Sequence, residues 1–110
     1  MENVIRQRAI VDLEEDRLIE EMGKSKKRDV LVIFRVLDIE QQNRIVLKLL
    51  KGLETTTKLD VCEHILLMVI SHLNISLRDS VLQRLESLRY TSKYDTTRRA
   101  ALRIIFEITK

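Results

Sequence analysis

Apolar residues recur along this chain at helical rather than strand spacing. Val46, Leu49, Leu50 and Leu53 follow i, i+3, i+4, i+7, the stripe that one buried helix face presents. Leu77, Val81, Leu85 and Leu88 form a second stripe, and Ala101, Ile104, Ile105 and Ile108 a third. The segment 58–73 departs from this pattern. There Leu59, Val61, Cys62, Ile65, Leu66, Leu67, Met68, Val69, Ile70 and Leu73 occupy almost every side of a helix. A helix apolar all round is buried on several faces, so this one is expected to be central, and a charge at Leu66 to destroy the fold. The run from Val30 to Leu37 is apolar enough for a strand, yet no second strand exists to pair with it, and it reads as a short buried helix. Residues 3–22 read as a helix in which Val4, Val11 and Leu18 repeat every seven residues, a thin stripe with acidic edges.

Helix-start signals recur with a matching rhythm. Asp38 opens Asp-Ile-Glu-Gln, a capping-box pattern with Gln41 at the third helical position. Thr57, Ser76 and Asp95 are the next candidate caps, each nineteen residues after the last, and nine residues beyond the caps stand Leu47, Leu66, Leu85 and Ile104. Gly52 is placed to terminate the helix that begins after Asp38. Two such helices make a 38-residue unit, between the ~34 residues of tetratricopeptide repeats and the ~40–47 of HEAT and armadillo repeats. The tetratricopeptide Trp, Gly and Pro markers are absent. The expectation is an all-α fold of stacked antiparallel helices, a HEAT/armadillo-like superhelix or a compact bundle of about five to six helices.

Composition agrees. There are no prolines, two glycines and four aromatics, a profile of long helices with short connections. At 110 residues the chain reads as a single helical domain over 1–110, or a piece of a larger array. No apolar run reaches the ~18–20 residues of a membrane span, and the N-terminus is too charged for a secretory signal. Cys62 is the only cysteine, so no internal disulfide forms, and a cytoplasmic or nuclear setting is the default. Asn74-Ile75-Ser76 matches a glycosylation acceptor only by chance on that reading. The net charge of +3 divides unevenly: residues 1–22, an acidic N-terminal helix, carry seven acids against three bases, whereas 23–110, a basic helical body, carries seventeen bases against ten acids. Such halves either neutralise each other or leave a basic face for an anionic partner.

Catalytic chemistry is scarce. Gly23 and Gly52 cannot build a phosphate loop. Asp60 and His64 share a helical face but have no nucleophile beside them, and Cys62, His64 and His72 spread around a helix without metal-ligand spacing. No enzyme activity, metal or cofactor is expected. Basic clusters are the better lead: Lys24, Lys26, Lys27 and Arg28 before one helix, Arg44, Lys48 and Lys51 along the next, and Arg98, Arg99 and Arg103 on the last. They are candidate contacts for a protein partner or for phosphates, or they solvate an outer face. Only Tyr90 and Tyr94 approach the aromatics that single-stranded RNA stacks on.

The stretch KKRDVLVIFRVLDIEQQNRIVLKLLKGL, residues 26–53, resembles the C-terminal domain of the PAT family of mRNA-decapping activators, also called topoisomerase-II-associated PAT proteins. The matching positions are Lys27 and Arg28 in a basic signature, then Val30, Ile33, Phe34 and Leu37, then Glu40 and Gln41, then Ile45, Val46, Leu47 and Leu53. Lys26 stands where the family has glycine, the family's helix proline is absent, and its domain is considerably longer. The resemblance implies an α-helical superhelix that bridges the Lsm ring on an mRNA 3′ end and the decapping enzyme, with Lys27 and Arg28 in the signature turn. Two functional readings follow: a protein-interaction scaffold, or direct single-stranded RNA binding on basic helix faces. An uncovered stripe on a terminal helix also leaves a homodimer open.

Overall fold

The turn at Asp38 shows how closely local chemistry shapes this chain. In the computed structural model, which describes residues 2–109 and their side chains from Leu13 onward, the Gln41 N–H donates to Asp38 Oδ1 at 2.8 Å. The Asp38 N–H donates back to Gln41 Oε1 at 3.0 Å, completing the expected capping box. Gln42 Nε2 donates to the carbonyls of Phe34 at 2.9 Å and Leu37 at 3.2 Å. Carbonyls left open where one helix ends are thus satisfied by the helix that follows.

Six α-helices account for almost all of the described residues: α1 Glu2–Lys24, α2 Lys27–Val36, α3 Ile39–Thr55, α4 Leu59–Val69, α5 Ile75–Thr91 and α6 Asp95–Ile108. A single 3-10 turn, Ile70–His72, prolongs α4, and no strand occurs among the described residues. Three-residue connections join α3 to α4 and α5 to α6, folding each pair into a helical hairpin. The hairpins lie side by side, α3 on α5 and α4 on α6, while α1 and α2 cover α4 from another side. Principal dimensions of 42 × 31 × 27 Å describe a compact all-α bundle, not an extended superhelix.

The nineteen-residue spacing of caps does not survive folding. Asn74, not Ser76, caps α5, its Oδ1 accepting from the Leu77 N–H at 2.8 Å. Asp95 lies inside α6, after Tyr94, so its carboxylate is free to face arginines one turn on. The α3–α4 connection places Thr56 and Lys58 in the left-handed region, with φ of 61° and 55°. The Thr57 hydroxyl oxygen instead accepts from Thr55 Oγ1 at 3.2 Å, and α4 starts without a side-chain cap.

The core follows the apolar stripes. Val46, Leu49, Leu50 and Leu53 are buried, as are Val81, Leu85 and Leu88, and Ala101, Ile104 and Ile105; Leu77 and Ile108 pack at the edge. α4 is central as expected: Ile65, Leu66 and Val69 are fully buried, and the helix touches α1, α2, α3 and α6. α2 is amphipathic rather than wholly buried, with Val30 and Phe34 inside and Val32 and Val36 outside. Leu47, which shares a rhythm with Leu66, Leu85 and Ile104, is 62% exposed because it lies one residue off the α3 stripe. Val4 and Val11 lie outside the described side chains; Leu18, the third of that stripe, is half-buried.

Gly52 does not end α3, which runs three residues further, to Thr55. It is the point where α4 comes closest: a Cβ there would lie 2.3 Å from Cys62 Sγ and 3.1 Å from the Thr57 carbonyl oxygen. Gly23 repeats the device against Val61, at 2.8 Å. From the far side, Thr97 Oγ1 in α6 donates to the Leu53 carbonyl at 2.6 Å and closes the α3 end. Gly52→Ala is therefore expected to destabilise by about 1–3 kcal/mol through overpacking, against the ~1 kcal/mol that alanine ordinarily adds inside a helix. In urea denaturation, Gly52→Ala combined with Cys62→Ala should cost less than the two singles together. Strict additivity would show that this contact does not set the α3–α4 spacing.

Candidate functional site

Charge pairing decides which basic residues are available. α1 lays its acids along α3: Arg44 Nε donates to Glu15 Oε2 at 3.0 Å and Lys48 Nζ to Asp16 Oδ1 at 3.0 Å, while Lys58 at the head of α4 reaches Glu20 at 3.3 Å. The acidic helix and the basic body thus neutralise one another along this seam. On α6, Arg98 donates to the Ser92 carbonyl at 2.6 Å and to Asp95 at 3.2 Å, and Arg99 holds the other Asp95 oxygen at 3.0 Å. Arg103 grips Glu63 with two nitrogens, Nε to Oε1 and Nη2 to Oε2 at 2.9 Å, tying α6 to α4. Those hydrogen bonds raise the Arg103 guanidinium above its ordinary value, and Glu63 is almost fully buried beneath it.

Five of the ten candidate contacts, Arg44, Lys48, Arg98, Arg99 and Arg103, are therefore engaged inside the protein. The other five are not: Lys24, Lys26, Lys27, Arg28 and Lys51 make no ion pair with any described residue. Four of these share the α1–α2 corner, where Lys26 precedes α2 without a side-chain cap. The structure does not gather the three basic clusters into one bare cationic face.

A concavity lies between α3 and α5. It encloses about 540 Å³, with Val46, Leu47 and Leu50 on one wall, Leu77 and Val81 on the other, and Lys51 and Ser80 at the rim. Arg84 and Glu54 meet at 2.6 Å among its lining residues. The walls are ridges of residues one helical turn apart, 46, 50 and 54 against 77, 81 and 84, which leave a channel between two helix surfaces. Stripe counting did not single out this groove. The signal for it was Leu47, an apolar residue beside the Val46 stripe with no place in the core.

The other titratable groups stand apart. Asp60 and His64 are exposed and share no hydrogen bond among the described residues. Cys62 is buried, and burial pushes its thiol above the ordinary value although Lys58 pulls the other way. No family model, curated protein or solved structure matches the chain.

Two of the arginine pairs differ in a measurable way. Glu63 is 11% exposed beneath Arg103, whereas Asp95 and Arg99 are both largely in water. Arg103→Ala strands a nearly dry carboxylate and should cost about 1–3 kcal/mol; Arg99→Ala should cost under about 1 kcal/mol. Urea unfolding of both variants checks the order, and equal losses would contradict it.

Proposed function

We propose that this chain is a non-enzymatic protein-interaction module whose α3–α5 groove receives the apolar face of a partner's amphipathic helix. The groove itself carries the reading. It is apolar at its floor, polar at its rim, and walled by two helices, the shape that takes a third helix through side chains at i, i+3/i+4 and i+7. Leu47, exposed at the mouth of this apolar channel, adds surface that a partner helix would bury.

A narrower proposal rests on the resemblance at residues 26–53: a scaffold in mRNA decay that links the Lsm ring and the decapping enzyme in the cytoplasm. What supports it is confined to that stretch, which folds as helix, Asp38 turn and helix. The rival reading, single-stranded RNA on basic helix faces, has less support, because half of the cations it would use already hold the chain's own carboxylates or carbonyls.

Affinity purification from the native cell, with the wild-type chain and Leu47→Glu side by side, tests the groove. Leu47 is exposed, so the variant should keep its circular-dichroism melting curve while losing its helical partner. Retention of every partner by a folded Leu47→Glu protein would sink the reading. Recovery of Lsm subunits or the decapping enzyme is the outcome expected of the narrower proposal, and recovery of unrelated proteins alone would end it.

A further inference from the structure

We infer that the outer face of α2 is a second docking surface, built for an acidic amphipathic helix of another protein. Its argument is independent of the groove and starts from an imbalance. Lys24, Lys26, Lys27, Arg28 and Arg35 make no ion pair with any described residue. Only two carboxylates, Glu21 and Asp29, stand in the same stretch of chain. By contrast Arg44, Lys48, Lys58, Arg84 and Arg103 each meet a carboxylate of another helix, and the remaining described cations without an ion pair, Arg17, Lys51, Arg78 and Lys93, stand apart from one another along the chain. The corner is also electrostatically unfavourable as it stands. Three of the cations sit at or just inside the N-terminal end of α2, where the helix dipole is already positive and opposes them.

The second half of the argument is apolar. Val32 is 55% exposed and Val36 78%, and they follow Arg28 at i+4 and i+8 on the same side of the helix, with Arg35 beside them. Val30 and Phe34 hold the opposite side in the core. A strip of valines one turn apart, flanked by cations, is half of a coiled-coil seam; the complementary half is an apolar stripe flanked by glutamates or aspartates. Nucleic acid fits less well. The face offers no aromatic ring for a base, since Phe34 is buried. In a second copy the α1 acids Glu15, Asp16 and Glu20 already hold Arg44, Lys48 and Lys58, and Glu14 and Glu21 are the only other described acids of that helix. Two carboxylates do not match five cations, so the complement of this face is an acidic helix of a different chain. α2 itself spans about 15 Å, so three to four turns of partner helix cover it and the basic corner.

Selection of displayed helical peptides on the full-length chain tests this, followed by fluorescence anisotropy on the enriched sequences. The expected result is peptides with apolar residues at i and i+4 bordered by glutamate or aspartate. Their affinity should fall about tenfold or more both with Lys27→Glu plus Arg28→Glu and with Val32→Ser plus Val36→Ser. All four positions are exposed or at the helix start, so melting curves should not move. Lys93→Glu, a reversal at the distant α5–α6 connection, should leave binding within about twofold if general electrostatics are not responsible. The inference is overturned if selection enriches nothing, enriches peptides without acids, or yields binding insensitive to the valine pair. It is equally overturned if oligouridine or phosphatidylserine vesicles bind the same residues more tightly, or if sedimentation shows self-association that the Lys27/Arg28 reversal abolishes.

Discussion

The enclosure of α4 is the constraint on which the remainder of this molecule rests. A helix with apolar residues on nearly every side cannot be half covered, so four other helices must reach it at once. Close approach on one side needs a residue without a side chain, and Gly52 meets Cys62 there. Once α3 is seated at that distance, the capping box fixes where it begins and the left-handed residues at 56 and 58 return the chain into α4. α1 and α2 then fall on the face that remains.

Charge settles what the packing leaves open. α1 is held by Arg44, Lys48 and Lys58 through its acids. Partly exposed pairs of this kind are individually weak, yet a row of them along one seam sets orientation and excludes a slip of one turn. The same pairing sorts the surface. Cations paired to a carboxylate of another helix serve the fold, whereas the α1–α2 corner gathers four that have no such pair among the described residues. The two proposed docking faces, the groove between α3 and α5 and the cationic strip on α2, lie on different helices.

Much of the fold was legible along the chain because it depends on short-range patterns. The stripes at 46–53, 77–88 and 101–108 and the all-round apolarity of 58–73 each translate into burial through helix geometry alone. The capping box at Asp38 is a four-residue event and appears as read. Failures came where two local signals competed or where distance in space mattered. Asn74 displaced Ser76 as a cap two residues earlier, and Gly52 looked like a terminator because its reason for being small lies ten residues away on another helix. The ten basic candidates looked alike in sequence; only the three-dimensional partners of Arg44, Arg98 and Arg103 separate them from Lys27 and Arg28. The groove and the exposed valines of α2 were invisible for the same reason, since both are surfaces that packing failed to cover.

The hydroxyl of Thr97 carries one more consequence. It is wholly buried and its single bond reaches back forty-four positions, to a carbonyl at the tail of α3. Peeling α6 away would leave that oxygen facing a dry interior and would strip Glu63 of its arginine in the same motion. α6 is thus the keystone of the α3–α4 hairpin rather than an appendage. α3, α4 and α6 therefore open and close together as one cooperative unit.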